Sequence, residues 1–481
     1  MRTLKLSVVL SLALLPALSL ANPSETDSTL PVKPAVSAQD KPNILYILVD
    51  NWGWGDISVQ GGSIPTPRID TLAQEGLRMT NFNVESQCVP TRSAIMTGRL
   101  PIRSGTNKVT YGLPYGMAPW EYTLPELLSD VGYSTALFGK WHLGDVEGRL
   151  PTNQGFDQWF GVKNTSDEAG YSSTAQFDTS IVAQPYIWEG EKGKLSKKVK
   201  PFNMETRKTI DREIVERAEA FIAKQAHSDK PFFAYVALTQ VHPPWGYHPD
   251  FDNASGKGKY SDVLMELDYN IGRILDALSK AKVADNTIVI LTGDNGAVTD
   301  GLGGGSTGPW RGGFTGYEGG LRTVGMIRWP EKIKAGRVSD EIFSTLDWMP
   351  TLASLIGEGK HIPTDRPIDG IDQAKFITGA QEKSDREHIM FYVGNDLFAV
   401  KWRSFKIHLK TAESIWSPIQ TYQFPPVYDV SNDPGEVNNL MKFNLFAHSW
   451  VYAPMEKILK EKGESMKKYR NINPGEDFTG Y

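Results

Sequence analysis

The chain contains 481 residues, of which 40% are hydrophobic and 22% charged, so it can form a large domain and a smaller one. Its formal net charge of −5 argues against a nucleic-acid partner, because contacts with phosphate backbones require a basic surface. The single cysteine, Cys88, excludes an intramolecular disulfide and a cluster of cysteines around a metal ion.

The first 41 residues contain a predicted export signal and a spacer. Arg2 and Lys5 precede an apolar run that ends in a small-x-small sequence at residues 19–21, which is typical of a signal peptide comprising residues 1–21. The run is too short to indicate a membrane span. Residues 22–41 are rich in Pro, Ser and charge and indicate a flexible spacer. We therefore expect an exported protein, periplasmic or secreted, without stable insertion in a membrane.

Four predicted strands share one layout, in which a nearly continuous apolar run stops at polar residues. The runs cover residues 43–49, 133–138, 231–238 and 287–291, and the polar side chains that follow them are Asp50, Asn51, Lys140, His142, His242, Asp294 and Asn295. Such runs favour a sheet that is buried on both faces, with parallel strands and helices between them. Helical spacing of apolar residues occurs over residues 121–131, 207–225 and 260–282. Because sites in open α/β sheets form beyond the carboxyl ends of strands, we expect the polar residues to meet there.

Cys88 precedes a predicted helix. Pro90 suits the first turn of a helix, so Cys88 would lie at an N-terminus, where free N–H groups and the helix dipole favour negative charge. Arg92 can hold an oxyanion nearby, because its guanidinium stays charged. A lone cysteine is more often a small buried hydrophobic residue, so the surrounding residues carry the functional interpretation.

Two carboxylate–amide pairs, Asp50-Asn51 and Asp294-Asn295, end the first and last of these strands. All four side chains offer oxygen, the ligand that hard cations prefer, so Ca²⁺ or Mg²⁺ is favoured over zinc or copper. A pair of Asx turns is the alternative interpretation of the same dipeptides.

The C-terminal part has a different pattern. Residues 347–355 predict a closing helix, and short alternating runs after about residue 380 predict a small antiparallel sheet. A final helix is predicted near residues 454–462, stopping before Gly463. The expected fold is α/β, with a large mixed, mainly parallel sheet sandwiched by helices over residues 42–378. A smaller C-terminal α+β subdomain with an antiparallel sheet would cover residues 379–481.

Residues 88–92, Cys-Val-Pro-Thr-Arg, resemble the sulfatase signature C-x-P-x-R, whose cysteine is oxidised after synthesis to the aldehyde formylglycine. Residues 139–144, 294–296 and 317–322 resemble further motifs of that family. The resemblance implies an alkaline-phosphatase-like fold and hydrolysis of sulfate monoesters. It also implies that a formylglycine-generating enzyme modifies Cys88 during maturation. One divalent cation, usually Ca²⁺ with Mg²⁺ as the other option, would be held by Asp50, Asn51, Asp294, Asn295 and the modified residue 88.

The resemblance also assigns roles in catalysis. Arg92 would hold the formylglycine hydrate and His142 would deprotonate it. Lys140 would bind the sulfate oxygens and, jointly with His242, protonate the leaving oxygen. At Asn51 the family more often has Asp, which lowers the negative charge of the cation site here. The family's second sulfate-binding lysine, which precedes the motif at residues 317–322, is absent, and Arg311 is the candidate to replace its charge.

Alternatives remain for substrate and function. The organic half of the ester is either an aryl group or a sulfated polysaccharide, and four tryptophans near the expected rim suggest an aromatic mouth: Trp52, Trp54, Trp141 and Trp245. A phosphate or phosphonate ester hydrolase of the same superfamily would use the same rim but demand more positive charge. A binding protein for sulfated glycans would keep an unmodified Cys88 and bind ligand without turnover.

Overall fold

The computed structural model describes residues 41–109, 115–299 and 304–481. The predicted signal peptide, and the predicted spacer up to residue 40, lie outside these residues. The strands are β1 (Asn43–Val49), β2 (Leu77–Met79), β3 (Phe82–Asn83), β4 (Ser134–Lys140), β5 (Gln158–Val162), β6 (Tyr186–Glu191), β7 (Lys197–Pro201), β8 (Phe232–Ala237), β9 (Thr287–Gly293), β10 (Gly325–Arg328), β11 (Arg337–Ser339), β12 (Phe343–Ser344), β13 (His388–Val393), β14 (Asp396–Trp402), β15 (Phe405–His408), β16 (Lys410–Thr411), β17 (Gln420–Thr421) and β18 (Val427–Asp429).

The helices surround these strands and connect most of them. They are α1 (Pro67–Gln74), α2 (Cys88–Thr97), α3 (Pro101–Ser104), α4 (Leu124–Asp130), α5 (Asp167–Tyr171), α6 (Met204–Arg207), α7 (Ile210–Gln225), α8 (Lys259–Lys280), α9 (Glu318–Leu321), α10 (Trp348–Leu355), α11 (Ala374–Thr378), α12 (Leu440–His448) and α13 (Tyr452–Lys468). Within the described part of the chain, no helix is long and apolar enough to cross a membrane.

A ten-stranded sheet in the order β11-β2-β10-β9-β1-β8-β4-β5-β6-β7 forms the centre of the fold. The five central strands, β9, β1, β8, β4 and β5, pair in parallel, with Ile44 of β1 opposite Phe233 on one side and Ile288 on the other. Antiparallel pairs flank them on both sides. This confirms the predicted large, mixed, mainly parallel sheet, and the four strands predicted to end in polar residues are direct neighbours within it.

Both faces of the sheet are covered, because successive side chains of a strand point to opposite faces. In β1, Leu45, Ile47 and Val49 enter one core and Ile44, Tyr46 and Leu48 the other. Helices α7 and α8 pack on the first face, and α2, α4 and α10 on the second. The continuous apolar run of β1 is therefore explained by burial on both sides.

The C-terminal sheet has the order β13-β14-β15-β18 and is antiparallel, as predicted. Its core packs against α13, through residues such as Met455 and Ile458. The prediction that the last helix stops before Gly463 is wrong, because α13 continues through that glycine to Lys468. A glycine inside a helix costs only about 1 kcal/mol relative to alanine, which packing on the sheet offsets.

A buried charge cluster joins the two parts of the molecule. Glu318, in α9, accepts hydrogen bonds from Lys401 and Lys406 of the C-terminal sheet, each with an N···O distance of 2.9 Å. Arg322 donates to the same carboxylate, and Glu436 lies 3.4 Å from the Lys406 ammonium. All of these side chains are at least 98% buried, so the contact between the sheet and the rest of the fold depends on mutual charge compensation.

Candidate active site

Polar side chains from the neighbouring strands β9, β1, β8 and β4 converge at the carboxyl edge of the central sheet. Asp50 directly follows β1, Asp294 directly follows β9, and Lys140 is the last residue of β4. All three are fully buried. His142 and His242 lie in the loops just beyond β4 and β8 and are 6% and 8% exposed. The structure therefore brings together the residues that the strand pattern had predicted to meet.

Cys88 is the first residue of α2 and faces this edge. Gln87 precedes the helix in an extended conformation, and Gly98, with a φ of 64°, ends it in the left-handed region that glycine tolerates. The Cys88 thiol and one oxygen each of Asp50 and Asp294 lie within 4.8 Å of one another. Burial raises the pKa of the thiol to about 12, and the charges of Asp294 and Asp50 add to this while Lys140 opposes it. An unmodified Cys88 is therefore a neutral thiol near pH 7 and a weak nucleophile.

Two buried ion pairs frame the site. Arg92 donates from Nε and Nη2 to Asp294 Oδ2 over 3.0 and 2.9 Å, and from Nη1 to the backbone oxygen of Lys140 over 2.8 Å. Lys140 Nζ donates to Asp50 Oδ2 over 2.6 Å. Burial alone would raise the pKa of Asp50, but Lys140, His242 and Arg92 hold it well below its usual range. Both cations are thus fixed in place beside Cys88.

The same rim contains buried oxygens without a partner. Within the described residues, Asp50 Oδ1 and Asn295 Oδ1 accept no hydrogen bond. Asn51 Oδ1 accepts one from Asn295 Nδ2 over 2.7 Å, and the Asn51 backbone N–H donates to Asp294 Oδ1 over 3.0 Å. Burial raises the pKa of Asp294 to about 6, with the repulsion of Asp50 as the next cause and Arg92 opposing both. Unpartnered oxygens and a repelling carboxylate pair fit a hard divalent cation, which would satisfy both.

The two histidines are held in different ways. His142 has a buried Nδ1 without a hydrogen-bond partner among the described residues. Its pKa is lowered by burial and by the charges of Lys140 and Arg92, so the ring is neutral and can accept a proton. Burial also lowers the pKa of His242, which Asp50 partly opposes. Its Nδ1 contacts the backbone oxygen of Pro243.

Thr165, which the sequence interpretation missed, connects Lys140 with His242. Its Oγ1 lies 3.3 Å from Lys140 Nζ and 3.3 Å from His242 Nε2. The backbone oxygen of Pro243 can only accept, so the neutral His242 ring carries its proton on Nδ1. Nε2 is then an acceptor, and the Thr165 hydroxyl donates to it while accepting from the Lys140 ammonium. Its position three residues after β5, at the same edge of the sheet, is the feature that could have indicated its place in the site.

Arg207 is a second residue that the sequence interpretation missed. It is 1% exposed and pairs with Asp211. Its Nη2 donates to the backbone oxygens of Thr239 and His242, each over 3.1 Å. The guanidinium therefore fixes the loop that carries His242 without reaching the rim itself.

Arg311 lies apart from these contacts. Its guanidinium donates to Glu413 over 2.5 Å and to the backbone oxygen of Glu436 over 3.1 Å, and it lies 4.4 Å from the centre of the Tyr317 ring. Among the described residues, the structure does not connect it with the Asp50–Cys88 cluster. That Arg311 supplies the missing sulfate-binding charge stays a prediction.

The tryptophan interpretation needs a correction. Trp52 and Trp141 are 0% and 1% exposed and belong to the two cores, so they do not line a mouth. Trp54 and Trp245 are half-buried, with Trp245 packed against Tyr260. Trp52 and Trp141 therefore serve packing, since a buried indole contributes a large apolar surface to a core.

The sequence matches the family described as Sulfatase over residues 42–358 and the C-terminal region of aryl-sulfatase over residues 384–477. The N-acetylgalactosamine-6-sulfatase of Canis lupus familiaris is 36% identical over 413 residues, which cover 82% of this chain and 77% of the relative. Arylsulfatase A of Homo sapiens is 34% identical over 435 residues, 83% of each chain. The crystal structure of the PsFucS1 sulfatase from Pseudoalteromonas sp. superposes with a TM-score of 0.84 at 31% identity, covering 90% of this chain and 92% of that one.

Proposed function

This chain belongs to the sulfatase family and is a sulfuric ester hydrolase, and from that premise we propose that it hydrolyses sulfate monoesters of sugars with a formylglycine derived from Cys88 and one bound divalent cation. The observation that carries the proposal is the meeting of Cys88 with Asp50 and Asp294 within 4.8 Å, framed by Arg92 and Lys140. The sugar is favoured by the name of the 36% identical relative, an N-acetylgalactosamine-6-sulfatase. An aryl sulfate is the second candidate, because arylsulfatase A is 34% identical.

The proposed cation ligands are Asp50, Asn51, Asp294 and Asn295, together with the modified residue 88. The unpartnered oxygens of Asp50 and Asn295 support this set, since a buried acceptor without a donor is costly unless a cation is bound. A Ca²⁺ or Mg²⁺ ion would supply a positive charge that stabilises the negative charge of the reacting sulfate. Four oxygen ligands from two strand ends favour Ca²⁺, which accepts irregular coordination more readily than Mg²⁺.

A formylglycine at position 88 would supply, once its aldehyde is hydrated, an oxygen nucleophile and an internal route for releasing sulfate. The side chains around it perform the remaining tasks. Arg92 is fixed by Asp294 and the Lys140 carbonyl, so it is preorganised to hold an oxygen at residue 88. His142 Nδ1, buried and unpartnered among the described residues, can take a proton from that oxygen.

Lys140 and His242 act on the leaving side of the ester. Lys140 Nζ has a proton to spare beyond those that it gives to Asp50 and Thr165, and we propose that it binds a sulfate oxygen. Nε2 of His242 carries no proton before the reaction, so we propose that the proton for the leaving oxygen comes from Lys140 as the sulfur–oxygen bond breaks. Lys140 gives it either directly or through the Thr165 hydroxyl and His242 Nε2, because that hydroxyl accepts from Lys140 and donates to Nε2.

We also propose export of the chain and its modification by a formylglycine-generating enzyme during maturation. The leader-like residues 1–21 support export, and the C-x-P-x-R sequence at Cys88 supports modification.

The test is to produce the protein with and without a formylglycine-generating enzyme and to record the mass of the peptide that contains residue 88. Sulfate release is then measured from methyl β-galactopyranoside 6-sulfate and from 4-nitrophenyl sulfate, with Cys88→Ala as the control. We expect turnover only in preparations that contain formylglycine, with the sugar ester preferred. Full activity with an intact thiol would overturn the mechanism, and a preference for the aryl ester would select the second candidate.

A further inference from the structure

A cleft opens beside the candidate active site, between His142 and the segment that follows β5. It has a volume of about 520 Å³, and the segment that lines it runs from residue 164 to residue 182. His142 and Thr165 belong both to this cleft and to the site described above. The cleft therefore directly adjoins the candidate active site.

The wall of the cleft is acidic. Asp167, Glu168 and Asp178 line it, and the described lining residues include neither lysine nor arginine. The Ser180 hydroxyl and N–H hold the pKa of Asp178 below its usual value, so this carboxylate stays charged. Burial raises the pKa of Glu168 to about 7, with Asn164 opposing and Asp145 adding to the rise. A ligand in the cleft thus faces two to three negative charges at neutral pH.

Lys163, a cation beside this wall, is engaged elsewhere. The ammonium of Lys163 donates to the backbone oxygen of Asp145 over 2.8 Å and lies 3.8 Å from the centre of the Trp188 ring. Lys163 opposes the rise in the pKa of Glu168 but does not overcome the effect of burial, and it is not among the residues that line the cleft. Lys163 therefore compensates the negative charge of the wall only in part, and Lys140, which contacts Thr165, is itself paired with Asp50.

Apolar surface makes up the rest of the wall. The rings of Tyr171 and Phe177 lie 5.5 Å apart, and Tyr171 is 39% exposed. Ile181 is 80% exposed beside them. Exposed apolar side chains around a concave surface are typical of ligand sites, where they cover the apolar face of a ring.

We propose that this cleft binds the organic part of the sulfate ester and selects an uncharged ring over one that carries a second sulfate or a carboxylate. The inference rests on the proposed function, because it assumes that the ester reacts at residue 88. The ester sulfate is attracted by Arg92, Lys140 and the cation, whereas a second anionic group would lie against Asp167, Glu168 and Asp178. Like charges placed across an interface oppose binding of the wrong ligand more strongly than they affect the correct one.

The test compares methyl β-galactopyranoside 6-sulfate with its 3,6-disulfate, at one Ca²⁺ concentration, by the initial rate of sulfate release. Because two to three carboxylates oppose the second sulfate, we expect kcat/KM for the monosulfate to exceed that for the disulfate by about tenfold or more. The double variant Asp167→Asn/Asp178→Asn should reduce this ratio at least about threefold, and added salt should reduce it in the wild type. The ratio is formed within each variant, so a general loss of activity cancels.

Asp229→Asn/Asp285→Asn is the matched control, because it removes the same two charges from exposed positions just before β8 and β9, at the opposite edge of the sheet. It should leave the ratio unchanged. A wild-type ratio near one, or a ratio that the double variant leaves unchanged, would overturn the inference while sulfate release itself upholds the proposed function. Formylglycine-containing protein that releases no sulfate from either sugar or from 4-nitrophenyl sulfate would overturn both.

Discussion

Replacing Thr165 by valine removes one hydroxyl and keeps the shape of the side chain. The hydroxyl makes two hydrogen bonds at 3.3 Å, to Lys140 Nζ and His242 Nε2. Each is at the long end of the usual range, so together they should contribute about 1–2 kcal/mol to the transition state. One power of ten in rate corresponds to about 1.4 kcal/mol, and we therefore expect kcat to fall about 5- to 30-fold.

The pH profile of Thr165→Val provides a second readout. The hydroxyl donates to the neutral form of His242 and so favours that form, which lowers the pKa of the ring. Removing the hydroxyl should raise this pKa, so the limb of the kcat profile that reports His242 should move to higher pH. If the hydroxyl had only a structural role, its removal would leave this limb of the kcat profile at the wild-type pH.

The assay is steady-state sulfate release on formylglycine-containing protein, with Thr71→Val as the matched control. Thr71 is exposed in α1, and its hydroxyl donates to the backbone oxygen of Pro67 over 2.8 Å without contacting Lys140 or His242. We expect the control to retain kcat within about twofold. A Thr165→Val enzyme with wild-type kcat and pH profile, or an equal loss in the control, would refute the relay between Lys140 and His242.

Three further outcomes follow from the structure. Asn295→Ala should raise the Ca²⁺ concentration needed to restore activity after chelation at least about tenfold, and an unchanged Ca²⁺ titration would contradict its role as a ligand. Glu318→Gln leaves Lys401 and Lys406 without their main partner and should lower the free energy of unfolding in urea by about 3–5 kcal/mol; a loss below about 1 kcal/mol would contradict the cluster's role. Glu85 is buried, and burial followed by the charge of Asp369 raises its pKa to about 8, against the opposing Arg386. The folded state thus retains a proton that the unfolded state releases. The free energy of unfolding should therefore fall as the pH rises from about 5 to 8, with a slope of up to about 1.4 kcal/mol per pH unit. Glu85→Gln should remove that slope, and parallel stability curves for variant and wild type would contradict it.

The sheet and its polar edge could be predicted from the sequence, because a strand that is buried on both faces is a continuous apolar run. The apolar run predicted at residues 43–49 is β1, and the other three runs lie within two residues of β4, β8 and β9. The position of Cys88 at the start of a helix could also be predicted, because Pro90 suits a first helical turn; the structure adds that Gly98 ends this helix. An apolar run does not show which of the side chains that follow a strand face the site. Trp141 was therefore wrongly predicted to line a mouth.

The cleft and Thr165 could not be predicted, for a different reason. They follow β5, whose five residues include Gly161 and make no long apolar run. A Cβ at Gly161 would lie 1.9 Å from the backbone oxygen of Gly139, so the glycine is needed for close approach of β5 to β4. The loop beyond β5 has no periodicity, and only the fold places its carboxylates beside His142.

The charges of the candidate site explain why the proposed reaction would need a cation. Asp50 and Asp294 compensate Lys140 and Arg92, so the four buried side chains together offer a sulfate anion almost no net attraction. A divalent cation on the unpartnered oxygens would give a surplus of two positive charges, enough for one sulfate monoester and its developing charge. Chelation should therefore weaken binding of substrate as well as turnover. The surplus positive charge would attract only the ester sulfate. A second anionic group on the same ring would lie beside the carboxylates of the acidic cleft and be repelled. Selectivity for a single sulfate would thus arise from how charge is distributed between the strand ends and the loop after β5.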